Sequence, residues 1–440
     1  MKKNIKINKG QKLLKFAKKI IPGGNQLLSK RSEIFLPKLW PTYYKKAKGC
    51  KIWDLSNKPY YDFAGMGVTT CILGYADRDV NNAVRKALNN ASMTTLNSYE
   101  EVELAEKLIN LHKWPDQVRF ARTGGEACSI AIRLARAASG RDKVLFCGYH
   151  GWHDWYLSAN IKGKNLDNQL LPGLKSKGVP RALENSAYPF NVNDINSFKK
   201  AVNKFHNKVG AVIMEPVRSE KTDLKFLKEV RSITKKIGAV FIFDEITAGF
   251  RETIGGYHLK FKIKPDVAIL SKAMSNGYPS SAIIGVKSVM DQAQDTFVSS
   301  CMWTERIGFV AALATIKKIE KYNVIKDLIY YGNKIKKGWQ EAADVANLNI
   351  KISGIHPIPE LKFDYKNSDE ISTFFIQEMM KRGYLANTRL GTTFVYTDKI
   401  VNNYLSNVGD VFEKIGRFII EKKKLPLIGP VRHTTFNRLI

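Results

Sequence analysis

No uninterrupted apolar run reaches the length of a membrane-spanning helix anywhere in these 440 residues, which argues against a helical membrane protein. Cysteine is scarce and odd in number: the five at 50, 71, 128, 147 and 301 show no CxxC spacing, which argues against a disulfide framework or a zinc site and fits a reducing cytoplasm. Acid is also short. Forty Asp and Glu face 71 Lys and Arg, a formal net charge of +31. Such a balance can signal a nucleic-acid partner, but the lysines are spread along the whole chain and no nucleic-acid-binding motif accompanies them. A solvated basic surface is the better expectation, with neither nucleic acid nor membrane as partner. The first twenty residues hold eight lysines, no acid and no apolar core of signal-peptide length, so no secretion signal is read and a cytoplasmic location is expected.

Chemistry concentrates in two stretches. Residues 241–251, Phe-Ile-Phe-Asp-Glu-Ile-Thr-Ala-Gly-Phe-Arg, and 266–277, Asp-Val-Ala-Ile-Leu-Ser-Lys-Ala-Met-Ser-Asn-Gly, each read as a buried strand ending at one ionisable residue. These are Asp244 and Lys272, each followed by turn-prone sequence, and open α/β sheets carry their chemistry at the carboxyl ends of strands. An amine there can form a Schiff base with an aldehyde. A carboxylate there can keep a pyridine nitrogen protonated. Pyridoxal phosphate needs both. Taken alone, a strand-end Asp often caps a helix and a loop Lys is usually a solvated charge, so the surrounding residues decide.

Those residues are 244–251 (Asp-Glu-Ile-Thr-Ala-Gly-Phe-Arg), 271–279 (Ser-Lys-Ala-Met-Ser-Asn-Gly-Tyr-Pro), 123–127 (Thr-Gly-Gly-Glu-Ala) and 148–151 (Gly-Tyr-His-Gly). In their order along the chain they resemble the class III pyridoxal-phosphate aminotransferases, above all the glutamate-1-semialdehyde 2,1-aminomutase-like branch, from about residue 21 to the C-terminus. The resemblance implies an α/β, fold-type I transferase with a mainly parallel sheet in a large domain and a smaller α+β domain. The expected boundaries are an N-terminal segment over 1–60 packing with the small domain, a cofactor-binding domain over 61–322 and the small domain over 323–440. It implies that Lys272 and Asp244 are catalytic. Gly124 and Gly125 would cradle the phosphate, Tyr149 would stack on the ring beside His150, Ile246 would cover its other face and Glu215 would lie near Asp244. The family's interfacial threonine aligns with Cys301, which leaves Ser300 and Thr304 as candidate phosphate ligands in an expected homodimer. No metal is implied.

On the substrate side, the family arginine after Pro22-Gly-Gly24 has only Lys30 and Arg31 as counterparts. A tryptophan expected near residues 65–70 is absent, and so is an acid expected near 390–392. The reading is therefore an aminotransferase acting through Lys272 on a small-molecule amino donor and acceptor, carbohydrate-like or keto-acid. The aminomutase is the alternative, and a basic binding protein with an inert cofactor fold is the alternative from another class.

The rest of the chain supplies the scaffold. Apolar periodicity predicts an amphipathic helix over 11–21, alternation predicts a hairpin over 51–63, and Ser98 with Glu101 has capping-box spacing before a helix through Leu111. Gly65-Met-Gly67 reads as a flexible run leading into residues 69–74. Strands are predicted at 117–121, 143–146, 211–214, 239–243, 267–270 and 281–286, alternating with helices. Residues 160–192 lack periodicity and read as a long loop bordering the site. Beyond Tyr322 come a long helix through Val345, strands near 350 and 361, a helix over 368–381 and a strand near Phe394.

Overall fold

The computed structural model describes residues 8–169 and 172–435. The chain divides into two compact units, one formed by Met1–Asp77 with Lys326–Ile440 and the other by Arg78–Ile325.

The second unit is built on seven strands: Gln117–Ala121 (β1), Lys143–Cys147 (β2), Ala187–Pro189 (β3), Val209–Met214 (β4), Val240–Asp244 (β5), Val267–Leu270 (β6) and Ser281–Gly285 (β7). Their order across the sheet is β1-β7-β6-β5-β4-β2-β3. Six run in one direction, and β7 alone lies antiparallel, between β1 and β6. Every residue of β4, β5, β6 and β7 is buried, as expected of strands covered on both faces. Their near-continuous apolar composition follows from that. The helix Gly124–Ser139 buries Ala127, Cys128, Ile130, Ala131, Leu134 and Ala135, and its small residues let the backbone lie close to the sheet.

Within residues 160–192, expected to be loop throughout, the structure finds β3 paired parallel with β2. Three residues are too few to show a period. The capping box expected at Ser98 does not form, since the Ser98 side chain accepts no bond from the helix Tyr99–His112. The Arg306 guanidinium instead grips Glu100 through both carboxylate oxygens, at 2.6–3.0 Å. The box that does form is at Thr123 and Glu126.

Behind β5 lies a buried polar network. Glu245 accepts from the backbone amides of Tyr257 and His258 and pairs with His258 Nδ1, each at 2.8 Å. Trp114 Nε1 donates to His258 Nε2 at 2.9 Å, so the proton of that ring sits on Nδ1 and points at the carboxylate. The Gly256 amide donates to His112 Nε2 at 2.9 Å, while His112 Nδ1 meets the Leu108 carbonyl at 2.7 Å. Both His112 nitrogens are thus satisfied only in the neutral ring.

Burial pulls the His112 pKa down to about 4, against an ordinary value near 6.5. The folded state therefore refuses a proton that the unfolded chain accepts. The stabilisation is complete above about pH 6.5 and is lost progressively down to about pH 4, roughly 3 kcal/mol in all. Urea unfolding between pH 4 and 8 should show that loss in the wild type and a flatter profile in His112→Gln. An unchanged slope in the variant removes His112 as the cause.

In the first unit, Tyr44–Lys48, Lys51–Asp54 and Pro59–Phe63 pair antiparallel, and Tyr384–Ala386 adds parallel to Pro59–Phe63. Residues 61–77, expected with the large domain, fall in this unit: Tyr61–Phe63 pair with Tyr384–Ala386, and the Ile72 and Tyr75 carbonyls accept from the amides of Phe394 and Gly49. Strands Ile350–Ser353 and Glu360–Phe363 form a separate hairpin. The expected strand near Phe394 is a turn, for Thr392 and Thr393 spend their hydroxyls on the carbonyls of Leu328 and Ile72. Phe63 stacks on Tyr404 and Tyr396, with centroids 3.9 and 4.8 Å away, in a core shared with Trp339, Phe375 and Phe412.

The flexible run expected after residue 65 is a tight left-handed turn. Met66, Gly67, Val68 and Thr69 have φ of 43°, 68°, 60° and 63°, a conformation that costs roughly 1–2 kcal/mol for each residue with a Cβ. It is held by Asp62, whose Oδ1 accepts from the amides of Ala64 and Gly65 at 2.7 and 3.2 Å.

Candidate active site

The carboxyl ends of β2, β4, β5 and β6 open on one edge of the sheet, and four loops leave from there. Asp244 is the last residue of β5 and pairs in register with Ile269 of β6. Lys272 lies three residues beyond that partner, so the two side chains leave adjacent strands at the same end. A single turn ties them. The Ile246 amide donates to Asp244 Oδ1 at 3.1 Å, and Lys272 Nζ donates to Thr247 Oγ1 at 3.0 Å.

Lys272 adopts φ 46°, a left-handed conformation unusual for a residue with a Cβ and of the kind found at functional positions. Its neighbours hold it there: Ser271 Oγ donates to the Ser280 carbonyl at 3.0 Å and accepts from Ser281 Oγ at 2.7 Å.

Asp244 is buried, and its Oδ2 receives His150 Nδ1 at 2.8 Å and Cys128 Sγ at 3.5 Å. His150 Nε2 is buried with no hydrogen-bond partner among the described residues, so the ring proton belongs on Nδ1, facing the carboxylate. Three donors thus converge on a carboxylate that offers about four acceptor directions, leaving room for one more.

The loop after β2 is fixed from three sides. Gln169 Oε1 accepts from the Gly148 amide at 2.7 Å, the Tyr156 hydroxyl donates to the Gly148 carbonyl at 2.8 Å, and the Tyr149 amide donates to Glu215 Oε2 at 3.0 Å. Glu215 also pairs with Arg218 at 3.2 Å. Gly148 has φ 117°, and a Cβ there would stand 2.5 Å from Glu215 Oε2, so only glycine fits against that carboxylate. Gln169 and Tyr156 had no motif to mark them. Gly151 then meets the helix Gly124–Ser139 so closely that its Cβ would lie 3.0 Å from Gly125 Cα.

At that helix end the capping box uses the amides of Thr123 and Glu126, leaving those of Gly124 and Gly125 at the helix N-terminus, where backbone donors and dipole both favour an anion. The Ile246 side chain packs over Gly124, where a Cβ would meet it at 2.7 Å. Tyr149 keeps 40 % of its surface exposed and is free to cover a planar ligand.

These features fit pyridoxal phosphate: an amine at Lys272, a buried carboxylate with one acceptor direction spare, two paired glycine amides and an exposed aromatic ring. Cys128, His150 and Asp244 offer possible metal donors within 4.8 Å of one another, but thiol and imidazole both point protons at the carboxylate, so the group reads as a hydrogen-bond network.

The other expected residues lie elsewhere. Ser300 and Thr304 are exposed, and the Thr304 hydroxyl is spent on the Cys301 carbonyl at 2.9 Å; the structure does not bring them to Lys272. In the first unit Lys30 is exposed, and the Arg31 guanidinium packs against Gly23, 2.4 Å from where a Cβ would stand. No helix among the described residues is long and apolar enough to cross a membrane.

Residues 37–386 match the family model described as Aminotransferase class-III. Among curated proteins, the 2'-deamino-2'-hydroxyneamine transaminase of Streptomyces kanamyceticus is 28% identical over 378 residues, covering 84% of this chain and 92% of its own. The glutamate-1-semialdehyde 2,1-aminomutase of Methanocaldococcus jannaschii is 26% identical over 432 residues, covering 93% and 99%. Among solved structures, the FumI protein of Sphingopyxis sp. MTA144 in its PLP internal aldimine form superposes with a TM-score of 0.84 at 24% identity, covering 95% of this chain and 99% of that one.

Proposed function

This chain belongs to the class III aminotransferases, and from that premise we propose that it moves an amino group from one small molecule to another with Lys272 and Asp244 as its catalytic residues. When bound, pyridoxal phosphate supplies an aldehyde that condenses with amines and a ring that accepts the electron pair released at the substrate carbon. Lys272 Nζ takes the proton from that carbon and returns it at the other end of the exchange, as general base and then general acid. With the cofactor bound, Asp244 would hold its negative charge against the ring nitrogen, the Gly124 and Gly125 amides would bind the phosphate, and Tyr149 and Ile246 would cover the two faces of the ring. The observation that carries this reading is the common turn at 245–247, to which the Asp244 carboxylate and the Lys272 amine are both bonded.

On the substrate side the reading is a transferase with separate donor and acceptor, since Leu390-Gly-Thr392 has no acid and residues 65–70 have no tryptophan. The aminosugar-type substrate in the name of the Streptomyces relative makes amino sugars and their keto precursors the first class to try. A homodimer in the cytoplasm is part of the same reading, with the exposed 300–304 stretch at the subunit boundary and Ser300, or Thr304 on leaving the Cys301 carbonyl, as its hydroxyl donor. Lys30 and Arg31 are the cations proposed for an acidic substrate group.

The test is a screen of amino donors against the purified protein, following the cofactor's visible band. A productive donor bleaches or shifts it, and a keto acceptor restores it. If glutamate 1-semialdehyde alone is converted with no second compound, the aminomutase reading replaces this one. No spectral response to any donor, with cofactor bound, overturns both.

A further inference from the structure

The helix whose first turn offers the Gly124 and Gly125 amides carries a third feature toward the same site. Cys128 lies one turn along, four residues from Gly124 and on the face buried against the sheet, where i and i+4 positions stand in line. Its sulfur is 3.5 Å from Asp244 Oδ2. A buried cysteine is ordinarily a small apolar filler. Cys128 differs because its partner is a carboxylate, which can only accept, so the thiol must be the donor.

We propose that Cys128 is a positioning residue for Asp244: its S–H bond to Oδ2, beside that of His150, weakens the carboxylate as a base so that the proton shared with the cofactor's ring nitrogen stays on nitrogen. This rests on the reading that Asp244 faces that nitrogen. The reasoning is one of competition for lone pairs. Each donor on a carboxylate stabilises its charged form and lowers its hunger for a further proton. Thiol, imidazole and the Ile246 amide are three such donors, set around a carboxylate that is itself buried. Remove the thiol and it becomes the stronger base. The shared proton then moves toward oxygen, and the ring loses part of its power to accept electrons. Burial and the Asp244 charge together push the Cys128 thiol far above its usual range, so it stays protonated and able to donate.

Two substitutions separate donation from packing. Cys128→Val keeps an apolar side chain of similar bulk and removes the donor. Cys128→Ser keeps a donor and sacrifices apolar packing. In holoenzyme reconstituted with ring-¹⁵N-labelled pyridoxal phosphate, the nitrogen resonance should move toward that of neutral pyridine in Cys128→Val and stay near the wild-type position in Cys128→Ser. Cofactor affinity should fall about fivefold in the valine variant, the worth of one modest hydrogen bond. A cysteine that only fills space predicts the reverse, with valine silent and serine perturbed, and that result overturns the proposal.

Asp244→Asn is the control for the underlying reading. If it leaves the nitrogen resonance unmoved, Asp244 does not face the ring and the site assignment fails. If it moves the resonance while Cys128→Val does not, only the role of Cys128 fails. Should the valine variant not fold, the wild-type apoprotein still decides. The S–H stretching band that disappears in Cys128→Ser must lie at the low-frequency, hydrogen-bonded end of the thiol range, and a band at the free-thiol position refutes the bond.

Discussion

Lys272→Ala should abolish every trace of cofactor that borohydride fixes to the protein and lower amino transfer about a thousandfold or more, the scale of losing both a covalent anchor and a general base. The fold should survive the change. Alanine and lysine meet the same steric objection at φ 46°, so the backbone cost is unchanged, and Thr247, whose Oγ1 accepts from Lys272 Nζ, is only half-buried. Melting temperature should therefore move by no more than a few degrees while activity collapses, and that separation marks a catalytic role. Mass spectrometry of the borohydride-treated wild type should place the label on the peptide containing Lys272, and the variant should carry none. A small primary amine added to the variant should restore part of the proton transfer, because the missing function is a base at one point. A fixed label that persists in Lys272→Ala, on any other lysine, would refute the assignment.

How much of this could be read in the chain depends on how locally each feature is encoded. Asp244 and Lys272 stand at the ends of apolar runs, Val240–Asp244 and Val267–Leu270, whose composition alone marks them as strands buried on both faces. Gly124 and Gly125 sit between a strand and an amphipathic helix, where a turn and a helix start are both legible. Cys128, Gln169, Tyr156 and Thr247 were not found because each acts through a contact made by tertiary structure. Cys128 faces a residue 116 positions away, and Gln169 lies in an aperiodic stretch with nothing to show that its amide reaches Gly148.

The same limit explains the errors. Ser98 and Glu101 have the spacing of a capping box, but Arg306, 206 residues from Glu100 in sequence, takes hold of that turn. Residues 65–69 carry two glycines, the mark of a flexible segment. They are wound into a left-handed turn by Asp62, whose role is invisible without the fold. Local periodicity therefore announces elements and their ends, while hydrogen bonds between distant residues decide what the ends do.

Asp244→Asn should cost amino transfer about as much as a missing electrostatic stabiliser does, two to three orders of magnitude, although the side chain keeps its shape. The reason lies in the donors already in place. Oδ1 receives the Ile246 amide, and Oδ2 receives His150 Nδ1 and the Cys128 thiol, so every neighbour of this carboxylate offers a proton. An asparagine has one oxygen and one NH₂ to set against them. With its oxygen toward His150 and Cys128, the NH₂ confronts the Ile246 amide. Turned over, it confronts the thiol and the imidazole, and His150 must shift its proton to Nε2, which is buried with no acceptor among the described residues. Either way two donors face each other in a closed site, a penalty of about 1–3 kcal/mol for the unsatisfied group, so the variant should also unfold at lower urea. The charge is lost in both orientations, and with it, on the proposed function, the means of keeping a ring nitrogen protonated. Single-turnover measurements with a saturating donor should show the loss in the proton-transfer step, with the Lys272 label still formed. Asp244→Asn retaining activity within tenfold of wild type would show that the carboxylate's charge is not what drives the reaction.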